Sequence, residues 1–222
     1  MDKERIKDIA YTLTKAGVGS IPVIGTAASE ILSLIVASPL EKRREKWFLE
    51  IGEKLKELEE NNDLQISELS QNEIFIDIVI QTTQNALKTS NELKRRCYKN
   101  ILINSASEKS IDEAEIQIYI NLIDSFTDWH IKIFVLFDNP TNWYKERSKD
   151  SPNLMMGSLT AVLVGAFPEL EERIDFYNLI WTDLHKAGLV NTSSLGGTIS
   201  GSGLMVNRST PFGIKFLKYI NE

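Results

Sequence analysis

The stretch AGVGSIPVIGTAASEILSLIVASPL, residues Ala16–Leu40, is nearly uncharged over its whole length, and Glu30 is its one charged residue. As one continuous helix it would be long enough to cross a bilayer, since about 20 residues are needed. Pro22 and three glycines interrupt such a helix, and the uninterrupted part, Thr26–Ser38, is too short to span. The stretch therefore predicts a helical hairpin, two short helices joined by a tight connection, that has to be buried.

Two environments can bury this hairpin, and the sequence leaves both open. The favoured interpretation is the core of a soluble helical bundle. The alternative is a membrane surface, because a basic segment follows the hairpin directly and could lie on anionic headgroups. The membrane hypothesis assigns contact to apolar residues of the connection and to the basic segment: Ile21, Val23, Ile24, Lys42, Arg43, Arg44 and Lys46.

Composition is that of an ordinary globular protein. The chain has 222 residues, of which 42% are hydrophobic and 25% are charged, and this balance disfavours wholesale disorder. The formal net charge is −6. A nucleic-acid-binding protein needs a basic surface to neutralise phosphates, so the charge disfavours nucleic acid as a general partner.

The compartment is predicted from cysteine usage and from the first residues. Cys97 is the one cysteine of the chain, so no internal disulfide can form, and this fits a reducing compartment. The segment before Ala16 carries charges of both signs and lacks the apolar run of a secretory signal. The prediction is a cytoplasmic protein that, under the membrane hypothesis, lies peripherally at the inner face of the membrane.

Helical periodicity continues beyond the hairpin. From Leu40 to Asn61 an apolar stripe faces one side, and it consists of Trp47, Phe48, Ile51, Leu55 and Leu58. Glu73–Lys88 is apolar on nearly all sides and predicts a buried central helix. In Asn91–Ser105, Cys97 lies on the apolar face. Ser110 and Glu113 have capping-box spacing and predict the start of another helix. These elements predict an N-terminal helical bundle over residues 1–109.

Residues 110–222 form the second predicted domain. The predicted elements are a helix at Asp128–Asp138, a polar loop at Thr141–Asn153, helices at Leu154–Phe167 and Pro168–Lys186, and a final helix from Thr210. The short apolar runs Leu189–Val190 and Leu204–Val206 bracket a Ser/Gly-rich segment, which predicts a small β-hairpin. The fold class is therefore mainly α with one small β-hairpin.

The order of these elements from Thr127 to Glu222 resembles a winged helix-turn-helix domain. The residues that carry the resemblance lie on both sides of the predicted hairpin: Leu184, Ala187, Gly188, Leu189, Thr210, Phe212, Gly213 and Phe216. The resemblance implies a winged-helix-like C-terminal domain after the helical bundle. It says little about the ligand.

The layout of the whole chain also resembles uncharacterised bacterial proteins that include the abortive-infection alpha family. The likeness has three parts: the apolar Gly/Pro-containing N-terminal region, the run ELKRRCYKNILINSAS (Glu92–Ser107) and the segment YINLIDSFTDWHIKIFVLF (Tyr119–Phe137). The resemblance implies a role in bacterial phage defence. It carries over no catalytic residue.

A transcription-regulator-like protein is the alternative function. It would read DNA through the C-terminal domain, with contacts from Arg173, Lys186 and Arg208. The start of the predicted recognition helix at Pro168 is acidic, however, and would repel phosphate where such helices enter the major groove. Protein docking or dimerisation is the more natural use of this domain.

A second basic cluster lies on the helix after Asn91, and its members are Lys94, Arg95, Arg96 and Lys99. The favoured interpretation is a solvated face or an intramolecular partner for the glutamates of the Leu40 helix. The alternative is a site for phosphate or for a lipid headgroup.

Enzyme chemistry has little support in the sequence. Cys97 with His130 or His185 could form a nucleophile and base, but a cysteine on an apolar helix face usually acts as a small hydrophobic residue. The histidines lack zinc-ligand spacing, and the glycine-rich Leu195–Gly203 lacks the ending of a phosphate loop. We predict no catalytic, cofactor-binding or metal-binding residues and no cofactor. The expected function is a non-enzymatic bacterial interaction protein with a protein partner or self-association and with conditional membrane association.

Overall fold

The computed structural model describes residues 38–61, 66–107 and 112–221. The chain divides into two compact units, Met1–Lys46 and Trp47–Glu222. The structure describes the first unit from Ser38 onward, and the packing reported below is packing within the second unit. The predicted hairpin at Ala16–Leu40 lies almost entirely outside the described residues.

The described residues are mainly helical, as predicted. The helices, in chain order, are α1 (Ser38–Glu60), α2 (Ile66–Leu69), α3 (Glu73–Lys88), α4 (Glu92–Ser107), α5 (Glu113–Ser125), α6 (Asp128–Asp138), α7 (Pro140–Glu146), α8 (Leu159–Ala166), α9 (Ile174–Lys186), α10 (Gly201–Leu204) and α11 (Pro211–Ile220). A 3-10 turn at Pro168–Leu170 precedes α9, and two short strands, β1 (Met156–Gly157) and β2 (Ile199–Ser200), complete the fold.

Side-chain caps determine where several helices begin. The Asn72 side chain accepts a hydrogen bond from the Phe75 amide at 3.1 Å and starts α3. Asp112 accepts from the Glu115 amide at 3.1 Å and starts α5, so Asp112, and not the predicted Ser110, is the N-cap. A short polar side chain at this position satisfies an amide that has no partner within the helix.

Helix α4 is the centre of the core. It packs against α3, α5 and α11, and it buries Cys97, Tyr98, Ile101 and Leu102. The sequence assigned the central position to α3, but Ile80 of α3 is 47% exposed. Although α3 carries apolar residues on nearly all sides, the core therefore covers only part of its surface.

The apolar stripe of α1 is only partly in the core. Trp47 and Ile51 are buried, and the Trp47 indole donates a hydrogen bond to Thr83 Oγ1 of α3 at 3.0 Å. Phe48, predicted to lie in the same stripe, is 49% exposed.

The small two-stranded sheet was predicted, but its strands lie elsewhere. β1 pairs with β2 in antiparallel register, Met156 opposite Ser200 and Gly157 opposite Ile199. Of the predicted strands, Val190 makes an isolated bridge to Ser209, while Leu204 belongs to α10 and is fully buried. The observed pairing joins segments far apart in sequence, so a local pattern of apolar runs could not reveal it.

Helix α7 replaces much of the polar loop predicted at Thr141–Asn153. Asn139 caps this helix by accepting from the Asn142 amide at 3.0 Å, and Pro140 occupies its first turn, where a missing N–H costs nothing. Trp143 and Tyr144 are buried. Two aromatic side chains at the middle of the segment thus fix it against the core.

Helix α9 begins at Ile174 and not at Pro168. The 3-10 turn keeps its own hydrogen bonds, from the Leu170 amide to the Phe167 carbonyl and from the Glu171 amide to the Pro168 carbonyl. Leu170 is fully buried by this turn. The acidic residues after Pro168 therefore precede the helix and do not form its first turn.

The predicted boundary between residues 109 and 110 falls in a part of the chain that the structure does not describe. Helices on its two sides are nevertheless packed together, because α4 contacts α11. Asn100 of α4 donates to the Ile220 carbonyl at 2.8 Å. The boundary stays a prediction.

Candidate functional site

A cleft of about 550 Å³ opens between α4, α6 and α7. Phe167, which follows α8, and the residues at the end of α11 complete its lining. Its volume lies within the range of roughly 300–1,000 Å³ that is usual for small-molecule sites. The cleft is therefore the candidate functional site in the described part of the chain.

The walls of the cleft are apolar. They are formed by Leu93, Ile131, Val135, Trp143, Phe167 and Ile220. Ile131, Trp143 and Ile220 are buried core residues, whereas Leu93, Val135 and Phe167 are half-buried. The apolar surface is thus continuous with the core and is supported from behind by it.

Three cationic side chains lie in the lining. Arg96 comes from α4, Lys132 comes from α6, and Arg147 is the C-cap residue directly after α7. The other polar lining residues are Asn100 and Asn221, and no carboxylate belongs to the lining among the described residues. The charged residues of the lining are therefore all positive, although the chain as a whole is acidic.

Aromatic rings hold two of these cations in place. The Lys132 ammonium lies 4.7 Å from the centre of the Trp129 ring and 2.7 Å from an Asp128 carboxylate oxygen. The Arg147 guanidinium lies 4.4 Å from the centre of the Trp143 ring. It also donates to the Trp143 carbonyl at 3.2 Å. Cation–π contacts of this kind help to orient the two charged groups.

Arg96 differs from the other two cations in its partners. Lys132 pairs with Asp128, and Arg147 lies 3.5 Å from a Glu146 carboxylate oxygen. Within the described residues Arg96 forms no ion pair, and its side chain is exposed. Its charge is the one most available to a ligand.

The other members of the predicted second basic cluster are occupied inside the molecule. Lys94 donates to the Asp124 carbonyl at 2.9 Å, and Arg95 pairs with Glu92. Lys99 lies 3.6 Å from a carboxylate oxygen of Glu50 in α1. For Lys99 the prediction of a partner on the Leu40 helix is confirmed, and the cluster contributes Arg96 alone to the cleft.

Cys97 also lines the cleft, but it is 2% exposed, as its position on the apolar face predicted. Burial raises the pKa of its thiol to about 12, although the nearby Arg96 charge acts in the opposite direction. A thiol needs a lowered pKa to act as a nucleophile at neutral pH. The geometry therefore gives no support to a Cys97 nucleophile.

This environment makes Cys97 unreactive. At about pH 8 we expect native Cys97 to react with iodoacetamide on the order of a hundredfold more slowly, or slower still, than in urea, because the thiolate is the reacting form. Quenched samples analysed by mass spectrometry give both rates. Equal rates in the native and unfolded protein would contradict the raised pKa.

The two histidines considered as bases are placed differently. His130 is buried, its Nδ1 accepts from the Thr127 amide at 3.1 Å, and its Nε2 lies 3.5 Å from an Asp183 carboxylate oxygen. Burial lowers the pKa of His130, while Asp183 acts to raise it. His130 thus joins α6 to α9 as a structural group. His185 is exposed near the end of α9.

The residues predicted for DNA contact do not converge. Arg173 precedes α9, and its guanidinium lies 3.8 Å from the centre of the Phe176 ring. Lys186 is the last residue of the same helix, so roughly 20 Å separates the two along the axis. Arg208 donates to the carbonyl of Gly203 in the nearby α10. No contact of these three residues favours DNA binding, which stays a prediction.

The residues predicted for membrane contact are only partly described. Ile21, Val23 and Ile24 lie outside the described residues. Lys42 and Lys46 are exposed and Arg43 and Arg44 are half-buried in the first turns of α1. Among the described helices, none combines the length and the apolar character that crossing a bilayer requires.

Sequence reasoning missed Lys132 and Arg147. Lys132 is the single basic residue within the apolar run WHIKIFVLF, and such an isolated charge is a signal that could have been used. Arg147 fell in a segment interpreted as a loop. Neither residue could be placed beside Arg96 without knowing how α4, α6 and α7 pack.

The described residues contain no group of three or more His, Cys, Asp or Glu side chains that could hold a metal ion.

The likeness to abortive-infection alpha proteins stays a prediction. Comparison with protein-family models, with curated proteins and with solved structures finds no match for this chain.

Proposed function

We propose that this chain is a non-enzymatic interaction protein that recognises an anionic group in the cleft between α4, α6 and α7. The observation that carries the proposal is the convergence of Arg96, Lys132 and Arg147 on a cleft whose described lining has no carboxylate. A charge-assisted hydrogen bond is stronger than a neutral one. An anion entering the cleft would gain such a bond most of all from Arg96, because Lys132 and Arg147 already have the carboxylate partners Asp128 and Glu146.

The biological setting follows from the predictions made on the sequence. The layout of the sequence suggests a bacterial defence component. The apolar N-terminal stretch suggests conditional contact with a membrane. An anion site would suit either setting, since a defence protein needs a trigger and an inner membrane surface carries anionic headgroups. The partner would then be an anionic group presented by a small molecule, a lipid or another protein.

We further propose that the C-terminal region has a winged-helix-like arrangement. Its support is the order of α6, β1, α8, α9 and then β2, with β1 paired to β2 and with α9 packed on α6. On α9, the exposed residues include Ile174 and Leu179, at 55% and 60% exposure. The exposed residues before α9 include Glu169, Glu171 and Glu172, and such an acidic surface suits protein docking better than contact with phosphates.

The test of anion recognition compares two neighbouring arginines of one helix. Arg96→Gln is expected to weaken binding of the fluorescent anion 8-anilinonaphthalene-1-sulfonate on the order of tenfold, as for the loss of one charge-assisted hydrogen bond. Arg95→Gln removes the same charge outside the cleft and should leave the dissociation constant unchanged. Fluorescence titration of the full chain measures both.

Two results would overturn the proposal. One is equal weakening by both variants, which would indicate a general effect of net charge. The other is a dissociation constant for the probe that is the same in Arg96→Gln and in the unchanged protein. Circular dichroism of each variant shows whether the helices are retained, so a loss of folding is not mistaken for a loss of binding.

A further inference from the structure

The cleft is graded from charged to apolar with depth. Its cations are the exposed groups, with 42% of the Lys132 side chain and 45% of the Arg147 side chain accessible to solvent. Its deepest residues include the apolar Ile131 and Ile220, at 3% and 2% exposure, and Asn100, whose amide is bound to the Ile220 carbonyl. A ligand that matches this gradient has an anionic end at the mouth and an apolar end inside.

The apolar part of the cleft offers little open aromatic surface. A ligand that binds mainly by stacking, such as a nucleobase, would need an open ring face. Trp143 is only 6% exposed, Arg147 covers one of its faces, and Phe167 packs edge-on with ring centres 5.1 Å apart. The remaining walls, Leu93, Val135 and Ile220, are aliphatic.

We propose that the cleft binds a single saturated alkyl or acyl chain that ends in an anionic phosphate or carboxylate. The headgroup pairs with Arg96, Lys132 and Arg147, and the chain lies along the aliphatic walls. This inference rests on the proposed function and names its ligand class. The chain could be that of a free amphiphile or of a lipid drawn from a bilayer, since both present the same chemistry to the cleft.

The decisive measurement is how the affinity depends on the length of the alkyl chain. Isothermal titration of the full protein with butyl, hexyl, octyl and decyl phosphate, all kept monomeric, should give binding about fourfold tighter per added methylene until the cleft is full. Octyl glucoside, with a similar chain and no charge, should bind at least tenfold more weakly than octyl phosphate.

The outcomes separate this inference from the proposed function. If all alkyl phosphates bound equally and binding still depended on Arg96, the proposed contact of the alkyl chain with the cleft would be wrong. The proposed anion site would be retained. Octyl glucoside binding as tightly as octyl phosphate would overturn the charged headgroup. If neither the sulfonate probe nor any alkyl phosphate bound, the proposed function itself would be wrong.

A variant that shortens the cleft tests the position of the chain. Val135→Phe adds a ring to a half-buried wall residue, so octyl and decyl phosphate should lose on the order of tenfold or more in affinity. Val206→Phe makes the same change at a residue that is 50% exposed and outside the lining, and serves as the matched control. Equal loss in both variants, or no loss in Val135→Phe, would contradict the proposed path.

Vesicle flotation distinguishes the two sources of the chain. Vesicles contain phosphatidylcholine alone or phosphatidylcholine mixed with phosphatidylglycerol. If the cleft takes lipid from a bilayer, Arg96→Gln should reduce flotation with the anionic vesicles and Arg95→Gln should not. If flotation is absent or is the same for both variants, a free amphiphile is the source.

Discussion

Replacing Trp181 by alanine is expected to lower the free energy of unfolding by about 3–5 kcal/mol, the usual cost of removing a large aromatic side chain from a core. Trp181 of α9 is 1% exposed. Its ring meets Phe137 of α6 edge to face, with centres 4.9 Å apart, and its indole nitrogen donates to the Thr192 carbonyl at 2.9 Å. Truncation leaves a cavity, and it also leaves that carbonyl without its donor.

Urea unfolding followed by circular dichroism measures the effect. Trp181→Phe should cost less, because the ring contacts survive and only the hydrogen bond and part of the volume are lost. Leu179→Ala is the control on the same helix, since Leu179 is 60% exposed, and it should change stability by less than about 1 kcal/mol. A Trp181→Ala effect equal to that of Leu179→Ala would show that α9 does not pack on α6 through this residue.

Gly213→Ala is expected to cost about 2–3 kcal/mol through overpacking. Gly213 lies in the first turn of α11, and a Cβ there would be 2.4 Å from the Leu189 carbonyl oxygen and 2.9 Å from Cζ of Phe134. The backbone oxygen cannot move alone, because the Leu189 carbonyl also accepts from the Thr210 amide at 2.9 Å. The helix start has to shift away from the Leu189 segment.

Gly52→Ala provides a control of opposite sign. Gly52 lies within α1, and nothing comes within 4 Å of the position that its Cβ would occupy. Alanine in an open helical position stabilises by roughly 0.5–1 kcal/mol relative to glycine. Thermal and urea unfolding of the two variants should therefore diverge. A Gly213→Ala variant as stable as the unchanged protein would contradict the close approach of α11 to Leu189.

Helices were the predictable part of this fold, because their signals are local. The periodic run around Trp47 and Ile51 predicted α1 within two residues of its observed bounds. The apolar face that carries Cys97 predicted both α4 and the burial of the thiol. Such patterns repeat every turn and do not depend on the rest of the chain.

Elements that depend on distant partners were not predictable in the same way. Met156 pairs with Ser200 across a long separation, and Gly201 allows this approach, since a Cβ there would lie 2.0 Å from the Leu154 carbonyl oxygen. Helix α7 was not predicted for another reason. It is short and polar at its surface, and the signals that mark it are Asn139, Pro140 and two aromatic residues.

The candidate site is the least predictable feature. Arg96 was recognised as part of a basic cluster, with a phosphate or headgroup site as the alternative interpretation. Lys132 and Arg147 join it because three helices meet at one cleft. Their convergence is a property of packing, and a single sequence without that packing shows only three separated charges.

The asparagines of α4 have a consequence for the order in which the molecule acquires its structure. Asn100 and Asn104 hold the carbonyl end of α11, and the Asn100 bond joins positions 120 residues apart. During synthesis the apolar face of α4 emerges from the ribosome long before the helix that covers it. Contacts of such sequence separation slow folding and leave apolar surface open in the meantime. The apolar face of α4 therefore stays partly uncovered, and open to aggregation, until Pro211–Ile220 has left the ribosome and packed against it.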